Sequence, residues 1–525
     1  MSFHKSDSLM TRRRLLYGTA AVAASAFLSS CSGAKSSSST TTPPPPPPTN
    51  PQPVPASPIT VASLAVTAST TSGSIGPRFI GLSLAKTTLY SQNYSLSNTQ
   101  MMGLLSLLPP GVLRANGTEC LSCAVWQPTG AGSKQYQIAP SDVTRYAAFL
   151  QATGWQAIYG INMSNYYSNP QSQTVANAVN EAEDVYTALG SSLYGIEIGN
   201  EPELYYEQVG SGGTAYMANL PHGNSYSVTD YEATWLLFYN GIRAALPTTP
   251  IIGPGTGVVP AWAAPFAAYA GTKLTTLTVH YYRDYLQNSS DTAQWLVTYP
   301  DSSLNGIATG MQTAAKSAGI AWRMDEGNTS DKDTLSGIAD GFGSALWALD
   351  LLFTLAKNGS TGMNFMTSNG TSTGEYSPFA YLDPGSGVSV VRPEFYGLVL
   401  FGMAGQGNLY ATAFTGLGSL NITAYVVKTS TGLNLIIVNK DPAQNLQLTI
   451  NLPQNVNTAT LLEMTQLSSG ATGPSLTATS GVTIQGSGIG LDGTFTPAAA
   501  YGLSFSGSQV SCYVPYLSAV LIKIT

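Results

Sequence analysis

Two short runs set carboxylates among polar residues just past an apolar stretch. They are Tyr194-Gly195-Ile196-Glu197-Ile198-Gly199-Asn200-Glu201-Pro202-Glu203 and Ile320-Ala321-Trp322-Arg323-Met324-Asp325-Glu326-Gly327-Asn328. A carboxylic acid facing a carboxylate can protonate a departing oxygen while its partner attacks the carbon left behind. At a separation of roughly 5–5.5 Å, that is how a glycosidic bond is broken with retention of configuration. Singly, each run has a plainer explanation: Asn-Glu-Pro arises by chance at strand ends, and Asp-Glu usually marks a solvated turn. Together, at the ends of two strands that face each other, they carry much more.

The elements that must position them alternate along the chain. Strand-like runs at 79–84, 111–114, 156–162, 193–199, 251–253, 274–282, 320–326 and 361–367 are separated by amphipathic stretches such as 142–153, 174–189, 231–246, 304–318 and 341–357. This alternation predicts an α/β fold, a (β/α)₈ TIM barrel over 78–405, with Glu201 and Glu326 at the C-terminal ends of strands four and seven, where barrel enzymes keep their chemistry. Periodicity alone admits seven or nine strands as well as eight. An open doubly wound sheet would want a glycine-rich phosphate loop after an early strand, and none is present. Beyond residue 405 the pattern shortens to alternating or β-branched runs at 420–427, 433–439, 446–450 and 520–524, which predicts a β-sandwich over 406–525. The strand-like segment inside 59–77 predicts that this sandwich borrows a strand from before the barrel.

The first residues read as a leader. Thr11-Arg12-Arg13-Arg14-Leu15-Leu16 has the look of a twin-arginine export signal, followed by an alanine-rich apolar run at 15–28 that is short for a membrane span. Leu28-Ser29-Ser30-Cys31 resembles a lipobox, so residues 1–31 are expected to be a signal peptide with Cys31 the lipidated residue. The expected location is then periplasmic or cell-surface, held to a bacterial membrane by lipid alone; an ordinary signal peptide with an incidental Cys, or an uncleaved anchor, is the alternative. Residues 32–58, with Pro43 to Pro48 unbroken, read as a Ser/Thr/Pro stalk that favours extended polyproline II.

Composition narrows the partners. The leader holds Lys5 and Arg12, Arg13 and Arg14 against Asp7, so its removal takes the formal net charge from −6 to −9. That argues against a nucleic-acid partner, which needs a basic face. Charged residues are only 9% of the chain, a fit to neutral, hydroxyl-rich ligands. Cys120-x-x-Cys123 has the spacing of a small disulfide, and three buried thiols, with Cys512, read equally well. A zinc site is disfavoured because the only histidines beyond the leader are His222 and His280.

Four segments resemble glycoside hydrolase family 79, the β-glucuronidase and heparanase-like group of a retaining (β/α)₈ clan. They are Ile198-Gly199-Asn200-Glu201-Pro202-Glu203, His280-Tyr281-Tyr282, Arg323-Met324-Asp325-Glu326-Gly327-Asn328 and Arg392-Pro393-Glu394-Phe395-Tyr396-Gly397. The resemblance implies that Glu201 is the acid/base and Glu326 the nucleophile. It implies that Asn200 binds the sugar 2-hydroxyl, Tyr282 donates to Glu326, and Arg114 lies beneath the nucleophile; His280 is expected to be structural. No metal or organic cofactor is implied, since carboxylates and water suffice.

The chain also departs from the family. Where its glucuronidases have Gly-Leu-Ser-Tyr-Glu, this chain has Gly81-Leu82-Ser83-Leu84-Ala85-Lys86; the second strand ends Leu113-Arg114-Ala115-Asn116-Gly117. Asp331 stands where a Tyr usually helps to hold the substrate carboxylate, while Tyr376, in Gly374-Glu375-Tyr376-Ser377, matches a second such Tyr. An Asp there repels a uronate unless a cation such as Lys86 or Arg283 compensates. The expected activity is therefore β-glucuronidase on polysaccharide or glycoconjugate side chains. A same-clan glycosidase for a neutral sugar is the alternative, and a non-catalytic surface glycan-binding protein is a third reading. Oligomeric state is not legible.

Overall fold

The computed structural model describes residues 50–117, 124–134, 136–168, 171–206, 219–257, 260–284, 292–330, 336–367, 376–382, 385, 387–467 and 473–525. The leader with Cys31, the stalk up to residue 49, Cys120, Cys123, Asp331 and Gly374 lie outside these residues. Among the described residues Cys512 is a buried free thiol, and no helix is long and apolar enough to cross a membrane.

Eight parallel strands close into a barrel in chain order. Strands one to eight are Ile80–Ala85, Val112–Asn116, Gln156–Ile161, Leu193–Ile198, Ile251–Thr256, Thr276–Asp284, Ala321–Ser330 and Met363–Met366. Their sequences alternate in a telling way. Leu82, Leu84, Leu113, Ala115, Ile196, Ile198, Leu277 and Val279 join the main apolar cluster, while Ser83, Arg114, Asn116, Glu197, Thr278 and His280 between them are buried and polar. Since successive strand residues point to opposite faces, the apolar set meets the helices and the polar set fills the barrel.

The surrounding helices form for local reasons. Val175–Leu189 starts where the Thr174 side chain accepts from Asn177 N, and it buries Ala178, Ala182, Val185 and Leu189, one stripe at helical spacing. Ser302–Ala318 starts at the Asp301 cap, buries Leu304, Ala308, Met311 and Ala315, and stops at Gly319 in the left-handed region. Thr99–Ser106, Ala263–Ala270 and Pro393–Ala404 are further helices between or after strands.

The second region is an eleven-stranded mixed sheet. Ile59–Ile75, from before the barrel, pairs antiparallel with Gly407–Thr415 and parallel with Asn445–Asn451, so both ends of the described chain build this sheet. It curls over its own core of Leu64, Val426, Leu435, Ile437, Leu448, Ile450, Val510 and Ile522. Asn439 Nδ2 donates to Val514 O across strands far apart in the hydrogen-bonded order. Helix Phe342–Lys357 joins sheet to barrel and is buried almost all round. Its Asp350 accepts from Thr423 Oγ1 (2.6 Å) and Tyr425 Oη (2.7 Å) and pairs with Lys440, while Phe353 stacks on Tyr425 at 4.2 Å. A charge this deep is tolerable only because it is paired and hydrogen-bonded.

Candidate active site

Arg114, in the middle of strand two and fully buried, is the hub of the polar cluster inside the barrel. Its Nε lies 2.7 Å from Glu197 Oε2 and 2.9 Å from Asp325 Oδ2. Its terminal nitrogens donate to Glu326 Oε2 (2.7 Å), Ser83 Oγ (3.2 Å) and Asn200 Oδ1 (2.6 Å). Glu197 also accepts from Asn116 Nδ2 (2.9 Å) and Thr278 Oγ1 (2.9 Å). Burial works to raise the Glu197 carboxyl, but Arg114, the hydrogen bonds this group accepts and His280 together outweigh it and hold the group at about 2.

Glu326 rises from strand seven, where a β-bulge falls between Met324 and Glu326. Its Oε1 accepts from Tyr282 Oη (2.8 Å) and its Oε2 from Arg114, which leaves it 3% exposed. Burial works to raise this carboxyl too; His280, Arg114 and the Tyr282 hydrogen bond together keep it below the ordinary glutamate range. Glu326 is therefore held as an anion, the state a nucleophile requires.

Glu201 stands just past strand four with φ of +43°, a conformation that non-glycine residues rarely adopt and that costs about 1–3 kcal/mol. Two hydrogen bonds brace this turn: Glu201 N donates to Gly255 O (2.9 Å), and Gly257 N donates to Glu203 Oε1 (2.6 Å). His280 Nδ1 lies 2.9 Å from Glu201 Oε1 and 3.7 Å from Glu326 Oε1. Burial works to lower the imidazole, yet Glu326 and the Glu201 contact raise it to about 9. One oxygen of Glu201, one nitrogen of His280 and one oxygen of Glu326 all lie within 4.8 Å of one another. Such a set could reach a metal ion, but both Glu326 oxygens already accept hydrogen bonds and a guanidinium 2.7 Å away opposes a second cation. The chemistry this arrangement supports is proton donation by one carboxyl beside attack by the other.

Gly257 is glycine for a reason of space. A Cβ there would come 2.1 Å from Glu201 Oε1, so any side chain displaces the carboxyl. Gly257→Ala is expected to lower kcat/KM about 10²-fold, the scale of a misplacement near 1 Å. Aryl glycosides with poor leaving groups should suffer most, because they need the proton; an equal loss for all leaving groups would contradict this account.

The structure thus brings Asn200, Glu201, Tyr282, Glu326 and Arg114 together. Asn200 Nδ2 is buried without a hydrogen-bond partner. Tyr376 packs edge-on against Tyr282, ring centroids 5.8 Å apart. Lys86 and Arg283, the cations that could have compensated an Asp beside a uronate, are both paired with other carboxylates. Lys86 pairs with Glu181 at 2.5 Å and donates to Gly160 O (2.8 Å), and Arg283 pairs with Asp301 (2.7 Å) and lies over Trp295. Each pairs with a buried carboxylate. The roles of Glu197, Asp325 and Asn116 were not anticipated. The signal for Glu197 was present, since a charge bracketed by Ile196 and Ile198 inside a strand must find a partner.

No protein-family model matches the chain, and neither does any curated protein sequence. Solved structures do. The fold is shared with solved structures of glycoside hydrolases. A 4-O-α-L-rhamnosyl-β-D-glucuronidase from Fusarium oxysporum 12S is similar at TM-score 0.67 and 16% identity, over 88% of this chain and 100% of that one. An α-L-arabinofuranosidase from Thermotoga maritima is similar at TM-score 0.61 and 13% identity, over 88% and 100%. A family 44 xyloglucanase from Paenibacillus polymyxa is similar at TM-score 0.60 and 11% identity, over 89% and 99%. Identities this low carry the fold and nothing finer.

Proposed function

We propose that this chain is a retaining glycoside hydrolase, with Glu326 as nucleophile and Glu201 as acid/base. The observation that carries the reading is the spacing of these two groups, whose nearest oxygens are no more than 4.8 Å apart. Oxygens this close accord better with the roughly 5–5.5 Å carboxyl separation of retaining enzymes than with the roughly 6.5–9.5 Å of inverting ones. Glu326, ionised by Arg114, His280 and Tyr282, attacks the anomeric carbon as Glu201 passes its proton to the departing oxygen. Glu201 then takes a proton from water, which releases the sugar from Glu326. Asn200 Nδ2 is the donor for the sugar 2-hydroxyl, a contact that tightens in the transition state.

For the sugar, the family 79 resemblance supports a β-glucuronide. The pairing of Lys86 and Arg283 with other carboxylates favours the second reading, a neutral β-glycoside. A panel of aryl β-glycosides separates them. Turnover of the glucuronide alone supports the first, turnover of neutral sugars alone the second, and no turnover of any sugar leaves only glycan binding. The leader supports export and lipidation at Cys31, which would place this chemistry at the cell surface or in the periplasm.

A further inference from the structure

Strand seven presents two consecutive acids, Asp325 and Glu326, to the same guanidinium. In a regular strand neighbours point to opposite faces. Here the bulge between Met324 and Glu326 breaks the alternation, and Asp325 Oδ2 and Glu326 Oε2 lie 2.9 and 2.7 Å from Arg114 nitrogens. With Glu197, three carboxyl groups crowd one Arg, and Asp325 and Glu197 are wholly buried. Three anions facing two cations, Arg114 and His280, would still leave the buried cluster net negative, a state that favours one carboxyl keeping its proton.

The hydrogen bonds identify which. Glu197 accepts from Arg114, Asn116 and Thr278, and Glu326 accepts from Arg114 and Tyr282, all donors that favour an anion. Neither Asp325 oxygen accepts a hydrogen bond of good geometry. The other groups facing Asp325 are His280 on strand six, with Nε2 at 3.7 Å, and Arg323 on its own strand. Arg323 is occupied by Asn364 Oδ1 (2.6 Å) and backbone carbonyls. We propose that Asp325 is a positioning residue that works as a neutral carboxylic acid beside the Glu197 anion, so that Arg114 and His280 serve Glu326. Burial and the Glu197 charge both push its carboxyl well above the ordinary aspartate range, in keeping with that geometry. The part of the proposal that concerns Glu326 rests on the glycosidase reading; the protonation does not.

The test compares wild type with Asp325→Asn, which keeps the shape and removes the titration. A carboxyl that titrates higher folded than unfolded costs the wild type stability as pH climbs above about 3.9, and Asn has no such cost. The difference in Tm should therefore move in favour of D325N by a few degrees between about pH 5 and about pH 8. A difference that stays constant with pH overturns the proposal. Should D325N fail to fold, infrared spectroscopy of wild-type protein carrying carbon-13 aspartate gives the same answer. A protonated-carboxyl band persisting at neutral pH supports the proposal, and its absence overturns it. Neither measurement needs turnover. Where turnover is found, the acidic limb of kcat/KM reports ionisation of Glu326. It should keep its position in D325N, because no charge is removed; a move to lower pH would show that Asp325 had been an anion.

Discussion

Glu326→Ala is expected to lower turnover of an aryl β-glycoside roughly 10⁶-fold, the scale seen when a covalent nucleophile is removed. The residue sits at the meeting point of Arg114, Tyr282 and His280, so nothing nearby can substitute for its oxygen. Azide, small enough for the space left by the side chain, should restore part of the activity by attacking the anomeric carbon directly. Its product should be the α-glycosyl azide, formed by one inversion. A variant that keeps near-normal turnover, or azide rescue giving the β-product, would place the nucleophile elsewhere.

Glu201→Gln should act differently on different substrates. Where the leaving group needs a proton, kcat/KM should fall about 10²–10⁴-fold, the usual worth of a positioned general acid. Dinitrophenyl glycosides, whose leaving group departs as an anion, should lose far less in the first step. Their second step should slow, because water loses its base, and a burst of phenolate should become visible. Azide should speed that step and give the β-glycosyl azide, the opposite anomer from the Glu326 variant. Uniform loss across leaving groups would instead indicate a structural role for Glu201.

Much of this site was legible because the strands were. Apolar runs flanked by helical stripes marked all eight barrel strands, and a strand end is where a barrel turns its chemistry outward. Glu201 and Glu326 followed from that placement together with their Asn and Tyr companions. Asp325 did not, because alternation along a strand sends neighbours to opposite faces and a bulge is invisible in a one-dimensional pattern. The partners of Lys86 and Arg283 were hidden for a related reason. Sequence puts each near a strand end, but only three dimensions reveal Glu181 and Asp301 as their partners. Pro393–Ala404 shows no apolar stripe because it is buried nearly all round, so its motif was readable and its packing was not.

The central claim is that Glu326 forms a covalent glycosyl-enzyme with Glu201 poised within a few ångströms to release it. The most direct test is peptide mass mapping after incubation with the 2-deoxy-2-fluoro glycosyl fluoride of whichever sugar the aryl panel identifies. The fluorine slows both steps and the fluoride leaving group spares the first, so the intermediate accumulates. One glycosyl unit is expected on the peptide containing Glu326, lost again when turnover resumes. A label on any other residue, or hydrolysis of the panel substrate with inversion and no label at all, would contradict it.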